Sequence, residues 1–341
     1  MRFNLMFHNE ATALRWPAVA AVALSLVQIG AVNHARAACS LGAVAVVPVT
    51  PSDGDIVFDA TINGQTAKFI LDTGSFATTL VPSAAQRLGL NPSRLNLQGY
   101  GIGGPRDISS VRPKQMQFGG MKFDGMDLAV ADLWQAGGPA ADGLFGMNMM
   151  AAYDIDLDFV GGHFMLFEAD GDCRKPAVAL TPPLYLAKLE PIFHNREIDV
   201  LVDVEGTPVK AKLDTGAPQT VLYKAEAMRL GVSLAPLHAP GRAMVSGVGP
   251  LRVGVMTHVF KTVTIGDLQF NNMPVQIIDY NNPNLARPDT GSLIPGGDDD
   301  VAGQEQMLLG ADFMQKVHVW ISNSSHKLIM QYPPVPSVLP H

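Results

Sequence analysis

The sequence predicts an all-β fold in two lobes related by an approximate two-fold axis, each lobe a β-barrel with short helices. Three observations predict it. Hydrophobic residues make up 47% and charged residues 16% of the 341 positions, with 33 Gly and 25 Pro, the balance of a folded chain rich in strands and turns. Strand-like runs broken by turn dipeptides recur along the chain. The second half repeats the landmarks of the first in the same order. This length also suits two lobes, each large enough to bury its own core.

From the N-terminus, Arg2 and Arg15 precede an apolar run from Ala18 to Val32, and Ala35-Arg36-Ala37 follows as an A-x-A cleavage pattern. The run falls short of the roughly 20 residues a stable transmembrane helix needs. Residues 1–37 are therefore expected to be a signal peptide, and the mature chain to be exported, periplasmic or extracellular, with no stable membrane span. Arg36 disfavours a lipid anchor on Cys39. Cleavage removes Arg2, Arg15, Arg36 and Glu10, taking the formal net charge from −7 to −9. Nucleic acid and anionic membrane surfaces are poor partners for such a charge. Cys39 and Cys173 remain, and in an oxidising compartment they can pair, tying the mature N-terminus to the stretch between the lobes; two separate free thiols are equally open.

The duplication sets Phe69-Ile70-Leu71-Asp72-Thr73-Gly74 beside Ala211-Lys212-Leu213-Asp214-Thr215-Gly216 at an offset of 142. At that offset Gly64 falls on Gly206, Leu88 on Leu230 and Gly89 on Gly231. Further on, Gly101-Ile102-Gly103 answers Gly247-Val248-Gly249, and Leu144-Phe145-Gly146-Met147-Asn148 answers Leu308-Leu309-Gly310-Ala311-Asp312. An insertion near Asn281 to Asp300, rich in Pro, Gly and Asp, absorbs the larger final offset and reads as a surface loop. Ile56 to Ile62, Asn63-Gly64, then Thr66 to Leu71 predicts a hairpin running into the first Asp-Thr-Gly. Val200 to Val204, Glu205-Gly206 and Val209 to Leu213 predict the same before the second. Ser83 to Leu88 and Lys224 to Leu230 fit short helices, each stopped by a Gly. Cys173, Pro176, Pro182 and Pro183 interrupt the pattern, placing the lobes at 38–175 and 176–341.

Two aspartates delivered symmetrically suggest a chemistry. Cleaving an amide without a metal or covalent intermediate needs a base for water and an acid for the carbonyl oxygen or leaving nitrogen. Two carboxyls about 3 Å apart cannot both ionise, so one keeps a proton while the other accepts one. Gly74 and Gly216 allow close backbone approach, and Thr73 and Thr215 offer hydroxyls that could lock the two loops across the axis. Ile70-Leu71 and Lys212-Leu213 would seat each aspartate at the end of a buried strand.

These motifs resemble the retropepsin-like aspartic proteases, and the resemblance covers nearly all of the mature chain, twice. It implies an endopeptidase acting on peptide or protein substrates, with Asp72 and Asp214 as the catalytic pair and no cofactor. It implies that Leu144-Phe145-Gly146 and Leu308-Leu309-Gly310 thread behind the catalytic loops. Tyr100 to Pro105, with Gly101 and Gly103, looks like a flap tip, and Gly247 to Gly249 like a second. Two flaps depart from pepsin-like enzymes and are closer to the retroviral dimer fused into one chain. A basic pro-segment is also missing, since Ala38 to Ala67 contains no Lys or Arg. The alternative on the same fold is a peptide-binding module of the cell envelope without turnover; intact aspartates and threonines in both copies speak against it. Cleavage preference and oligomeric state are left open.

Ser75 follows the first motif where Ala217 follows the second. A hydroxyl donating to the outer oxygen of Asp72 would make Asp72 the charged member and Asp214 the proton carrier. The third Asp-Thr-Gly, at Asp289, follows Arg287-Pro288 rather than an apolar strand and reads as a turn. Asp154, Asp156 and Asp158 alternate along a predicted strand and are expected to form a solvated face, since the Gly and Glu of a calcium loop are missing. No histidine has metal-ligand spacing, so no metal is expected, and no Gly-rich loop has the Lys and helix of a phosphate cradle.

Overall fold

A computed structural model describes residues 41–134, 138, 140–169, 180–190, 198–234, 243–249, 252–279 and 306–336. The predicted signal peptide, Cys39, Cys173, Asp289 with its insertion, and most of the predicted lobe boundary lie outside these residues. Strands dominate, as expected, and the helices among the described residues are short: Pro82–Arg87, Lys224–Arg229 and Ala311–Met314.

Both predicted hairpins form. Strands Asp55–Ile62 and Gln65–Leu71 pair around Asn63 (φ 51°) and Gly64 (φ 80°), and Asp199–Val204 and Thr207–Leu213 pair around Glu205 (φ 52°) and Gly206 (φ 86°). Two consecutive left-handed residues match the twist of the flanking strands. The first two helices end as predicted: Gly89 (φ 67°) and Gly231 (φ 79°) follow them, their amides donating to Gln86 and Met228 carbonyls.

In the second half, Asp199–Val204 pairs with both Thr207–Leu213 and Arg252–Ile265, which closes that sheet on itself into a barrel. Its long hairpin, Arg252–Ile265 with Leu268–Ile278, corresponds in the first half to four shorter strands, Gly104–Val111, Gln115–Phe118, Met121–Asp124 and Leu128–Val130. Pro113, with no amide to donate, falls in the first of these breaks. The first-half core is aromatic, with Phe145 ringed by Phe58 at 5.1 Å and Phe118 at 4.7 Å, whereas the second is mainly aliphatic around Phe260 and Phe313.

A six-stranded sheet joins the halves. Leu41–Pro48, His163–Ala169 and Asp154–Asp158 come from the first, and His318–Ser322, Lys327–Gln331 and Leu184–Lys188 from the second. Asp154–Asp158 and His318–Ser322 meet antiparallel at the seam, with Asp156 opposite Trp320. The expectation of a solvated aspartate face fails here: Asp154, Asp156 and Asp158 are all buried. Sequence alternation placed them on one face correctly, but the covering came from remote parts of the chain. Ser322 and Ser324 donate to Asp154, and His318 Nε2 lies 2.6 Å from Asp156 Oδ1. No helix among the described residues is long and apolar enough to cross a membrane.

Candidate active site

Asp72 and Asp214 each leave the end of an inner strand, where the backbone is held from behind. The Asp72 amide donates to Phe145 O (3.0 Å) and the Asp214 amide to Leu309 O (2.9 Å). Strands Gly143–Phe145 and Met307–Leu309 run parallel to the aspartate-bearing strands, in the threading position the resemblance implied.

The loops are then crossed over one another. Thr73 Oγ1 donates to Leu213 O (2.8 Å) while accepting from the Thr215 amide (3.0 Å). Thr215 Oγ1 donates to Leu71 O (2.6 Å) while accepting from the Thr73 amide (3.0 Å). Both threonines are buried, so these four bonds compete with no solvent. The glycines set the approach: a Cβ on Gly74 would stand 2.3 Å from Asp214 Cγ, and one on Gly216 would stand 2.4 Å from Asp72 Cγ. Each carboxyl therefore packs on the other loop's glycine, and the two carboxyls share a hydrogen bond.

Burial pushes Asp72 well above the usual carboxylate range, and the charge and hydrogen bond of Asp214 push it further. Burial also raises Asp214, but Lys212's positive charge, the bond from Asp72 and the amides of Gly216 and Ala217 oppose it. Both carboxyls are therefore raised, and the geometry removes the reason for expecting Asp72 to be the charged member: Ser75 Oγ donates to Ala77 O (3.0 Å).

Sequence reading missed a further matched set. Thr78 donates through its amide and hydroxyl to Asn148 Oδ1, both at 2.8 Å, and accepts from the Gly146 amide. Thr220 does the same with Asp312 Oδ1, both at 2.7 Å, and with the Gly310 amide. The signal was there, since Thr78 and Thr220 stand at the same offset of 142 and Asn148 already answered Asp312.

Both predicted flap tips end hairpins. Ser93–Gly101 pairs with Gly104–Val111, Tyr100 opposite Pro105, and Met244–Ser246 pairs with Arg252–Ile265. The tips meet, the Gly103 amide donating to Val248 O (2.8 Å). A Cβ on Gly101 would lie 2.4 Å from Val248 O, and one on Gly249 (φ 131°) 2.0 Å from Gly103 C. Ile102 packs on a second-half cluster that includes Ala217, Val253 and Leu308. Among the described residues, no group of three or more His, Cys, Asp or Glu is placed to hold a metal ion.

A sequence profile described as aspartyl protease matches residues 58–149 and 200–313, together more than half of the chain and one segment per copy of the motif. The chain belongs to the aspartyl protease family. No curated protein sequence matches it. Among solved structures, the aspartic proteinase from Irpex lacteus is similar at 12% identity and a TM-score of 0.49, over 86% of this chain and 97% of that one. As a member of the aspartyl protease family, the chain has peptides as its implied substrate class.

Proposed function

We propose that the protein is an aspartic endopeptidase in which Asp72 and Asp214 activate a water for attack on a peptide carbonyl. The observation that carries this reading is the pair of carboxyls facing each other across the threonine lattice, each against the other loop's glycine. Asp214, charged, takes the proton from water as the new carbon–oxygen bond forms. Asp72 gives its proton to the carbonyl oxygen. Collapse of the tetrahedral intermediate then breaks the carbon–nitrogen bond as Asp214 gives its proton to the leaving nitrogen and Asp72 takes one back from a hydroxyl of the intermediate. Burial keeps bulk water from screening either step. The meeting tips over the cleft act as two flaps that part to admit a peptide. We also infer that residues 1–37 direct export, which puts the protein in contact with periplasmic or extracellular polypeptides.

The test is turnover of an unstructured protein by wild type, Asp72→Asn and Asp214→Asn. Each single change should cost more than about a hundredfold, close to 3 kcal/mol of barrier, with circular dichroism unchanged. Asp289→Asn should cleave like wild type. A wild-type protein that binds peptide without cleaving it would overturn the catalytic reading.

A further inference from the structure

The two halves differ electrostatically two residues before each aspartate. Ile70 lies opposite Val57 and Leu144 on the neighbouring strands. At the same offset of 142, Lys212 lies opposite Asp199 and Leu308. An apolar cross-strand pair in one copy is thus a charged pair in the other, and both members are buried, Lys212 at 6% exposure and Asp199 at 8%. Alternate residues of a strand share a face, so Lys210 and Lys212 lie along one side of the strand Thr207–Leu213, and Asp214 is the next alternate position just past its end. Asp199 is bound by Lys210 Nζ at 2.9 Å. The result is a row of alternating charge, Lys210, Asp199, Lys212, Asp214, that ends at the carboxyl pair.

A buried ammonium is costly to desolvate, and a buried ion pair is a weak source of stability compared with the apolar pair the first half uses at the same place. Its influence on Asp214 is specific: after burial, the Lys212 charge is the largest influence on that carboxyl and the foremost one favouring its ionised form. Among the described residues, the other titratable side chain that bears on Asp214 is Asp72.

Taking the endopeptidase reading as given, we propose that Lys212 is a positioning residue that decides which member of the pair carries the charge, holding Asp214 as the base and leaving the shared proton on Asp72. The symmetric loops do not make that choice, because their threonine and glycine contacts are matched. The charged strand pair makes it.

The experiment records kcat/KM against pH, and in parallel the carboxyl titration of aspartate-labelled protein by 13C NMR, for wild type, Lys212→Met, Lys212→Arg and the double change Lys212→Ile with Asp199→Val. The double variant rebuilds the Val57–Ile70 pair, leaves no buried Asp199 charge, and covers the case in which Lys212→Met does not fold. Loss of the cation makes Asp214 harder to ionise, so the acidic limb and the lower step of the pair should move up by about one pH unit, the size expected of an adjacent charge. Lys212→Arg should keep the wild-type values. An acidic limb and lower step unmoved in the double variant would overturn the inference. The NMR titration reads the charge without turnover, so a shifted step in a wild-type background that cleaves nothing would refute the endopeptidase reading and leave the role of Lys212 in charge placement standing.

Discussion

At the residue scale, Gly74 and Gly216 are constrained by what faces them rather than by their own backbone. Neither has a left-handed φ; each is small because a carboxyl from the other loop occupies the space a side chain would take. Gly216→Ala should therefore displace Asp72, destabilising by roughly 1–3 kcal/mol as other overpacked sites do and lowering kcat/KM far more than the stability loss accounts for. Urea unfolding together with turnover measures both. Ser75→Ala should behave differently: its hydroxyl bonds Ala77 O, so the acidic limb should stay in place and the loss of stability be about 1 kcal/mol. The aspartates, threonines and glycines of the site were all legible as a repeated motif. The direction of the Ser75 hydroxyl was not, because an acceptor two residues along competes with the carboxylate, and local geometry alone decides between them.

At the scale of elements, matched parts are doubled at each level. The two Asp-Thr-Gly loops bond each other, Thr78 and Thr220 tie each loop to the strand behind it, and the hairpin tips touch. Thr220→Val would leave the Gly310 amide without its acceptor and Asp312 without the hydroxyl bond, keeping only the backbone amide of residue 220 on Asp312. Each unsatisfied group costs about 1–3 kcal/mol, so the cost should exceed that of an exposed threonine change several-fold in urea unfolding. The tips invite a functional test. Gly249→Ala places a Cβ into the backbone of Gly103 at a φ of 131°, so the tips should part. The expected outcome is a fall in kcat/KM, carried mainly by a higher KM, together with a modest fall in Tm, since Val248 packs on the main core and the Gly249 amide donates to Leu133 O. Hairpins and short helices were readable from Asn-Gly, Glu-Gly and terminal Gly signals. That the two tips would meet was not, since their contact joins residues about 145 positions apart in sequence, and no local pattern reports it.

At the scale of the whole molecule, the seam sheet carries titratable groups at its joint. Asp156 and His318 are fully buried and bonded across the two halves, and Asp156 Oδ2 has no hydrogen-bond partner among the described residues. Burial raises Asp156 despite His318; for His318, burial pulls down but the bond and charge of Asp156 outweigh it, and the net shift is up. Asp55 is raised to about 6 by burial and by Asp53. Asp72 and Asp214 are raised as well. A raised group binds its proton more tightly folded than unfolded, so its stabilisation is full below the unfolded value and fades as pH rises through the folded one. These shifts share one sign: carboxylates lose stability from the ordinary carboxylate range upward, and His318 adds a loss beginning above 6.5. Tm should therefore fall from mildly acid to mildly alkaline pH. An Asp156→Asn, His318→Gln double variant should fall less steeply across the neutral part of that range, as calorimetry at a series of pH values would measure.

The sequence by itself determined the all-β class, the duplication at offset 142, both hairpins and the matched places of Asp72 and Asp214 in the two copies, because each rests on local pattern or on comparison of the chain with itself. Asp154, Asp156 and Asp158 mark where that reasoning stops: alternation set their common face, but only packing against His318, Ser322 and Ser324 decided that the face is dry. Lys212 marks it again. Its place before Asp214 was visible in sequence, yet its effect depends on burial and on Asp199 across the strand pair. Charge interactions take their strength from distance and solvent exclusion, and both exist only once remote parts of the chain have closed around the site.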